Sequence, residues 1–261
     1  MRATSAYATR DAVDGPTLVG DEKLAFVTEL FDRVASRYDV VNACIALGMV
    51  DRWRRRALRC GYDVWNAIEG VRVIERGDRV LDVGCGTGAV TRLVAYGELT
   101  HLGAEVTGVD CSRKMIEEAR RVMPGGRFDV GNAAKMTYGS ETFDAVVTAY
   151  TLRNFPDLTP TLAEMVRCCK RGGRIMILDA FPPQWGVLGF ILRMWLRFAL
   201  PLIGYALTGE RKAYEYLGNS IERARTPEQV ANELRALGAE RVVAKRLFPF
   251  GAAAIIVAHK P

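Results

Sequence analysis

The chain has 261 residues, 49% of them hydrophobic and 25% charged, with a formal net charge of +6. That length suits one sizeable α/β domain, or a domain with a small cap, and the composition excludes wholesale disorder. The positive charge permits nucleic acid or an anionic membrane surface as partner and requires neither, since a solvated basic surface also accounts for it.

Residues 1–21 are small, polar and unpatterned and read as a loose tail. They lack a positively charged start followed by an apolar stretch, so no signal peptide is expected. From 22 to 60 the pattern is helical: Leu24, Val27, Leu30, Phe31 and Val34 share one face, and "DRWRRRAL" continues as a basic helix. "DRVLDVG" (78–84) is a short apolar run ending in glycine, the mark of a strand and a tight turn. "TGAVTRLVAYG" follows as a helix stopped by Gly97. A second strand covers 104–110, and Ser112 opens the next helix as its N-cap. "RFDVGNA" is a third strand and 143–150 a fourth. A helix ending on Gly172 leads into a fifth strand over 174–181. An apolar run from Trp185 to Leu207 comes next, then a helix over 227–237. Two closing strands, "ERVVAKRLF" and "AAAIIVAH", are linked through Pro249 and Gly251 as an antiparallel hairpin at one edge. The alternation predicts a mostly parallel sheet, helices on both faces and right-handed crossovers.

Six cysteines, Cys44, Cys60, Cys85, Cys111, Cys168 and Cys169, show no C-x-x-C spacing. Reduced thiols in a cytoplasmic protein are expected, with no disulfide framework and no metal site.

The chemistry concentrates in "VLDVGCGTGAVT". Gly84, Gly86 and Gly88, with Thr87 between them, let the backbone approach a ligand at a helix N-terminus. The G-x-G-x-x-A spacing also suits a dinucleotide. Asp82, however, would repel a pyrophosphate and suits an ammonium instead. Asp110, at the end of the second strand, is placed to accept from ribose hydroxyls. Asn132 and Ala133 fall beside an adenine. A sulfonium, an adenosine and an amino acid together describe S-adenosylmethionine, whose predicted site also takes in Cys111 and Ala149. An NAD-dependent oxidoreductase is the lesser reading.

In "VLDVGCGTG", "VTGVD", "GNA" and "KRGGRIMI" the chain resembles the class I S-adenosylmethionine-dependent methyltransferases. In "FDRVASRYDVVN", "DRWRR", "LRNFPD", "ALPLIG", "AYEYLGNSI" and "FGAAAIIVAHKP", spread over residues 26–261, it resembles the ubiquinone/menaquinone biosynthesis methyltransferases, that is, demethylmenaquinone methyltransferase and its benzoquinol relatives. The resemblance implies a Rossmann-like α/β fold with a mostly parallel seven-stranded sheet. It implies one methyltransferase domain over 22–261, with an N-terminal helical flap (22–70) and an apolar helical insertion (182–225). The implied reaction is methylation of a ring carbon of a polyprenylated quinol, foremost demethylmenaquinol, with a benzoquinol as the alternative. Arg153, Asn154 and Tyr38 are the implied catalytic residues. Arg153 is a poor isolated base, so it is expected to lower the quinol pKa. Tyr38 and Asp39 belong to the flap. Tyr150, Trp195, Tyr214, Tyr216 and Ser220 are expected to line the acceptor pocket. Where relatives often carry histidine, Val50 and Ile256 stand here, and Asp179 stands where a glutamate is frequent.

The apolar run does not read as a membrane span. Arg193 and Arg197 would each cost roughly 2.5–3.5 kcal/mol at the bilayer centre. Pro201 and Gly204 are expected to break the run in two. The prediction is an amphipathic helix over 185–199 with both arginines on its polar side. Trp185, Leu188, Ile191, Leu192, Trp195 and Leu196 would then face the acceptor and lipid, with a dimer or core helix as the alternative. The expected partners are a polyprenyl quinol and a membrane surface touched transiently by a cytoplasmic, peripheral protein, with a homodimer left open. No nucleic acid is expected, because "RNFPD" stands where "D/N-P-P-Y" would be needed. Rival readings are a different lipophilic acceptor, or a subunit that binds S-adenosylmethionine without turnover.

Overall fold

Apolar residues recur at both parities along the central strands, and the fold buries both faces of them. In the computed structural model, residues 15–35, 38, 48–58, 72–97, 99–184, 186–247 and 251–261 are described. The strands are β1 (Arg79–Val83), β2 (Glu105–Asp110), β3 (Arg127–Val130), β4 (Phe143–Ala149), β5 (Cys169–Ala180), β6 (Glu240–Arg246) and β7 (Ala253–His259). They form one sheet in the order β3-β2-β1-β4-β5-β7-β6. The first five strands pair in parallel. β7 inserts antiparallel between β5 and β6, so the predicted closing hairpin is present and β6 forms the edge.

Helices α1 (Gly20–Val34) and α2 (Met49–Leu58) precede the sheet. Helices α3 (Ala89–Ala95), α4 (Arg113–Val122) and α5 (Leu158–Cys168) lie in its crossovers. Leu81, Val146, Ile175 and Ile177 pack with Leu162 and Met165 of α5 and, from the stretch before β6, with Val230 and Leu234. On the other face Val80, Val147, Met176 and Leu178 pack with Trp53, Ala57 and Leu58 of α2 and Val90 and Val94 of α3. Burial on two faces is what turns these strands into nearly continuous apolar runs.

One boundary differs from expectation. Helix α5 stops at Cys168, not Gly172, because Cys169 already pairs with Phe143. The register then shifts, and regular pairing resumes at Arg174 opposite Ala145. Within the irregularity Gly172 N–H donates to Lys260 O at 2.8 Å and Lys260 N–H to Gly173 O at 3.0 Å. The two glycines therefore serve a β-bulge tied to the end of β7, not a helix cap.

The sheet is joined to the first crossover helix by a buried carboxylate. Asp82, 1% exposed on β1, accepts from Thr91 N–H at 3.1 Å and from Thr91 Oγ1 at 2.7 Å, both in the first turn of α3. Burial pushes its pKa up to about 6, against the opposing pull of those hydrogen bonds and of Arg54.

The apolar run is one unbroken helix from Val187 onward. α6 (Val187–Thr208) is followed by α7 (Arg211–Glu222) and α8 (Pro227–Ala236). Trp195–Ala199 forms a π-helical turn, and the helix runs on through Pro201. Proline lacks the N–H and crowds the carbonyl four residues back, and a widened turn just before it relieves both problems. The predicted break at Pro201 and Gly204 therefore does not occur. Gly204 instead lets α7 approach: a Cβ there would run into the Tyr214 ring. Nor does α6 have the predicted polar side. Arg193 folds back to donate to Pro183 O at 2.6 Å, Arg197 lies against Phe198, and Phe190, Met194, Phe198, Leu202 and Tyr205 are exposed. Trp185, Asp39, Pro249, Cys44, Cys60 and residues 1–14 of the expected tail lie outside the described residues. Residues 15–21 do not hang loose: Gly15–Thr17 forms a 3-10 turn with Gly15 against Phe26 and Tyr216, and α1 begins at Gly20.

Two stability measurements check these contacts. Gly204→Ala overpacks the α6–α7 contact and should lower unfolding free energy in urea by about 1–3 kcal/mol. Asp82 has a folded pKa raised above its unfolded value, so its protonated form stabilises the fold. That contribution is complete below the unfolded pKa, near 4, and is lost as pH rises through about 6. Relative to Asp82→Asn, wild-type stability should therefore fall across that window by up to about 3 kcal/mol; a flat difference would show that the carboxylate is not buried as described.

Candidate active site

The glycine loop sits where the carboxyl ends of β1, β2 and β4 meet, the position at which open α/β sheets bind ligands. Gly84 and Cys85 N–H both donate to Val109 O, at 2.7 and 3.0 Å, which ties the loop to β2. Gly86 has φ +54°, and a Cβ on it would meet nothing within 4 Å. Its backbone is thus bare toward a cleft of about 740 Å³. Gly86 N–H donates to Asp110 Oδ2 at 2.9 Å, and Ser112 N–H donates to Asp110 Oδ1 at 2.9 Å. Asp110 is half-buried, and desolvation of its carboxylate raises its pKa despite both hydrogen bonds.

The cleft is walled by Gly84, Gly86, Thr87, Asp110, Cys111, Asn132, Ala133 and Ala149, all predicted for the cofactor. Asn132 Oδ1 accepts from Ala134 N–H at 2.9 Å, which squares the turn after β3. Burial pushes the Cys111 thiol up to about 12, so it is a neutral wall, contacted by Thr28 Oγ1 at 3.5 Å. Leu24, Val27 and Phe31 of α1 close the cleft from above, together with Tyr38, whose ring packs edge-on against Phe31 at 5.7 Å. Ser112 Oγ, which also caps α4, is 2.5 Å from Asp32 Oδ1 and fastens α1 in place.

Two predicted cofactor contacts fall elsewhere. Asp82 does not line the cleft, since its carboxylate is turned into the start of α3. Gly88 is the N-cap of α3, and its Cα side faces Phe128 instead of the cleft.

A second cavity, of about 1380 Å³, adjoins the cleft and shares Tyr38, Arg54 and Tyr150 with it. Its other walls are Met49, Val50 and Trp53 of α2, Leu188, Ile191, Leu192, Trp195, Leu196 and Leu200 of α6, and Leu217 and Ile221 of α7, with Arg153, Ala180 and Ala252. Of the residues predicted for the acceptor, Tyr150 and Trp195 are here. Tyr214 and Tyr216 are not. They lie two apart on α7, hence on nearly opposite sides of the helix. Tyr214 packs on Gly204, and Tyr216 packs on Phe26 at 5.3 Å between ring centroids. Ser220 Oγ donates to Leu217 O at 2.9 Å and faces a separate polar crevice of about 800 Å³.

Of the implied catalytic residues, Tyr38 lines both spaces, Asn154 the cleft and Arg153 the apolar cavity. Arg153 is not a free cation: its Nη1 is 2.6 Å from Asp179 Oδ1, and both side chains are buried. Asp179 also accepts Leu152 N–H and Ala180 N–H, each at 2.7 Å. Asn154 lines the cofactor cleft, where its Nδ2 donates to Tyr150 O at 3.4 Å and its Oδ1 accepts from Tyr216 OH at 3.3 Å. Arg54 was not anticipated. Its signal was present, one turn from Leu58 on the buried side of α2, but a run of arginines hides one inward member.

The family described as "ubiE/COQ5 methyltransferase family" matches residues 17–260. A demethylmenaquinone methyltransferase of Thermotoga maritima is 34% identical over 85% of this chain and 91% of its own length. One from Deinococcus radiodurans is 35% identical over 93% and 96%. Among solved structures, a SAM-dependent methyltransferase of Thermotoga maritima shares the fold with a TM-score of 0.58 and 19% identity, over 90% of this chain and all (100%) of that one. The Haemonchus contortus phosphoethanolamine N-methyltransferase 2 complex with S-adenosyl-L-methionine has a TM-score of 0.53 at 17% identity, over 72% and 50%. A match that runs from the turn before α1 to the end of β7, with relatives this similar over nearly their whole length, settles the lineage: the chain belongs to the ubiE/COQ5 methyltransferase family.

Proposed function

We propose that the protein is an S-adenosylmethionine-dependent C-methyltransferase acting on a polyprenylated quinol, foremost demethylmenaquinol. The observation that carries this is the junction of a polar cleft with a large apolar cavity. A small polar acceptor would not need walls made mostly of apolar side chains, leucine, isoleucine and tryptophan foremost. The relatives named demethylmenaquinone methyltransferase support the same acceptor.

The cleft residues fit the donor. The bare backbone of Gly86 leaves room for a close approach, and the Asp110 carboxylate stands at the end of β2, where a ribose is held. Bound there, S-adenosylmethionine supplies an electrophilic methyl group. The chain's own part is to hold, align and dry. The glycine loop and α1 enclose the donor, and Tyr38 stands between donor and acceptor spaces. The apolar walls exclude water from a ring carbon whose nucleophilicity rises as its neighbouring hydroxyl ionises. Placing the two reactants side by side can supply about 7–11 kcal/mol in favourable cases.

Residues of α6 that line the cavity, Leu188 and Ile191, are also exposed, so the cavity wall reaches the molecular surface. Its neighbours Phe190, Met194, Phe198 and Leu202 are exposed with it. We place the enzyme in the cytoplasm with this helix resting in the bilayer interface, where a prenyl tail can enter without crossing water. Basic residues near an anionic surface add about 1 kcal/mol each.

Purified protein given labelled donor should transfer methyl to a short-chain demethylmenaquinol faster than to the matching benzoquinol; transfer to neither would end the quinol reading. Phe198→Glu combined with Leu202→Glu should abolish most co-sedimentation with anionic vesicles while leaving donor affinity unchanged. Undiminished sedimentation would move the membrane contact off α6.

A further inference from the structure

The seam between the two cavities holds polar groups that lack partners. The Tyr150 hydroxyl is buried and makes no hydrogen bond. Arg54 Nε is also buried and unbonded, while Arg54 Nη1 donates to Asp51 Oδ1 at 2.8 Å. The Arg54 guanidinium carbon lies 5.5 Å from the Tyr150 ring centroid, so the two side chains are in contact; Arg153 Nε, on the wall of the apolar cavity, is likewise buried and unbonded, but its guanidinium is held by Asp179. Leaving such a group unsatisfied inside a protein is unfavourable. Tyr150 adds a further anomaly, a φ of +65° immediately after β4, a conformation that is costly for a non-glycine residue. The conformation is held by Tyr150 N–H to Leu178 O at 2.7 Å and by the Tyr216–Asn154–Tyr150 hydrogen bonds described above. It keeps the ring between the cleft and the apolar cavity.

We propose that Arg54 and the Tyr150 hydroxyl together bind the acceptor's ring oxygen next to the carbon that is methylated. Arg54 stabilises the anion of that oxygen, and Tyr150 donates a hydrogen bond to it. The assignment rests on the quinol reading and deepens it, because it moves the activating cation from Arg153 to Arg54. Arg153 is already neutralised by Asp179, whereas the partner of Arg54, Asp51, is largely exposed and screened by water. The step balances: the new C–C bond forms as the donor's C–S bond breaks, that bond's electron pair stays on sulfur, and the ring C–H proton leaves to water. Charged and titratable groups near the seam are Arg54 and Asp51 on α2, Asp82 on β1, Arg153 after β4, Asp179 on β5, and Tyr38. Burial raises the pKa of the Tyr150 hydroxyl, so it stays protonated and able to donate at neutral pH.

The test uses the full-length protein with S-adenosylhomocysteine bound and 1-naphthol as a probe whose absorbance and fluorescence report its ionisation. In wild type the bound naphthol should ionise at a pH about 1–3 units below that in Arg54→Gln, with Arg54→Lys in between. In turnover with a short-chain demethylmenaquinol at saturating donor, Arg54→Gln should lower kcat about 100-fold. Its acid limb should shift to higher pH, and lysine should restore part of both. Tyr150→Phe, which removes one hydrogen bond to the oxyanion, should cost about tenfold in kcat and move that limb upward by less than Arg54→Gln does. Quinol turnover in which naphthol ionisation and the acid limb ignore Arg54 would overturn this assignment and leave the quinol reading intact. Naphthol ionisation that depends on Arg54, in a protein that methylates neither quinol, would support the oxyanion site and overturn the quinol reading instead.

Discussion

β1 ends in a carboxylate that is fully enclosed, and only the start of α3 makes that tolerable. Thr91 supplies two donors to one Asp82 oxygen, and the helix N-terminus adds its partial positive charge. Burial still outweighs them, as the raised pKa shows. With strand and helix fixed to each other at that point, the chain between them has little freedom. It must arch over the end of β1, and it does so with backbone N–H groups turned to Val109 O and to Asp110. The cofactor cleft is therefore a consequence of a strand–helix clamp set back from the ligand.

A second clamp works the same way beside the neighbouring strand, β4. Asp179, on β5, gathers Leu152 N–H, Ala180 N–H and the Arg153 guanidinium. This fixes the short turn after β4, and Tyr150 and Asn154 are set by that turn. A buried ion pair of this kind is weak evidence for net stability, but losing one partner leaves an uncompensated charge inside. Arg153 and Asp179 are thus best understood as a neutral support for the segment between the cleft and the apolar cavity. Two buried carboxylates, Asp82 and Asp179, sit behind the two sides of one seam without lining the donor cleft.

Much of this was legible in the chain. The strands announced themselves because burial on two faces makes a short, unbroken apolar run, and the glycines after β1 marked the turn. The residues that wall the cleft could be named one by one because they sit at strand ends, whose positions follow from the strands. What failed was direction. Nothing local tells whether Asp82 points to a ligand or to Thr91 nine residues on. Gly172 looked like a helix stop because a β-bulge uses the same residue for the same backbone freedom. Tyr214 and Tyr216 looked like a pocket lining, although their spacing on a helix already separates them by more than half a turn. Pro201 looked like a break because a π-helical turn has no sequence signature. Arg54 was lost among its exposed neighbours.

The insertion raises a problem that an acceptor arriving from an apolar phase would answer. α6 needs one apolar side to keep the seam dry, and an ordinary roof helix would then be polar on the other. Instead large apolar side chains also face outward, from Val187 to Leu207, with Arg193 drawn back onto Pro183. Exposed apolar surface on this scale is a liability for a protein that works only in water. It ceases to be one if the second reactant arrives from an apolar phase. A single helix can then serve as doorway and wall, provided that it is not interrupted where the two functions meet, and the π-helical turn before Pro201 meets that condition.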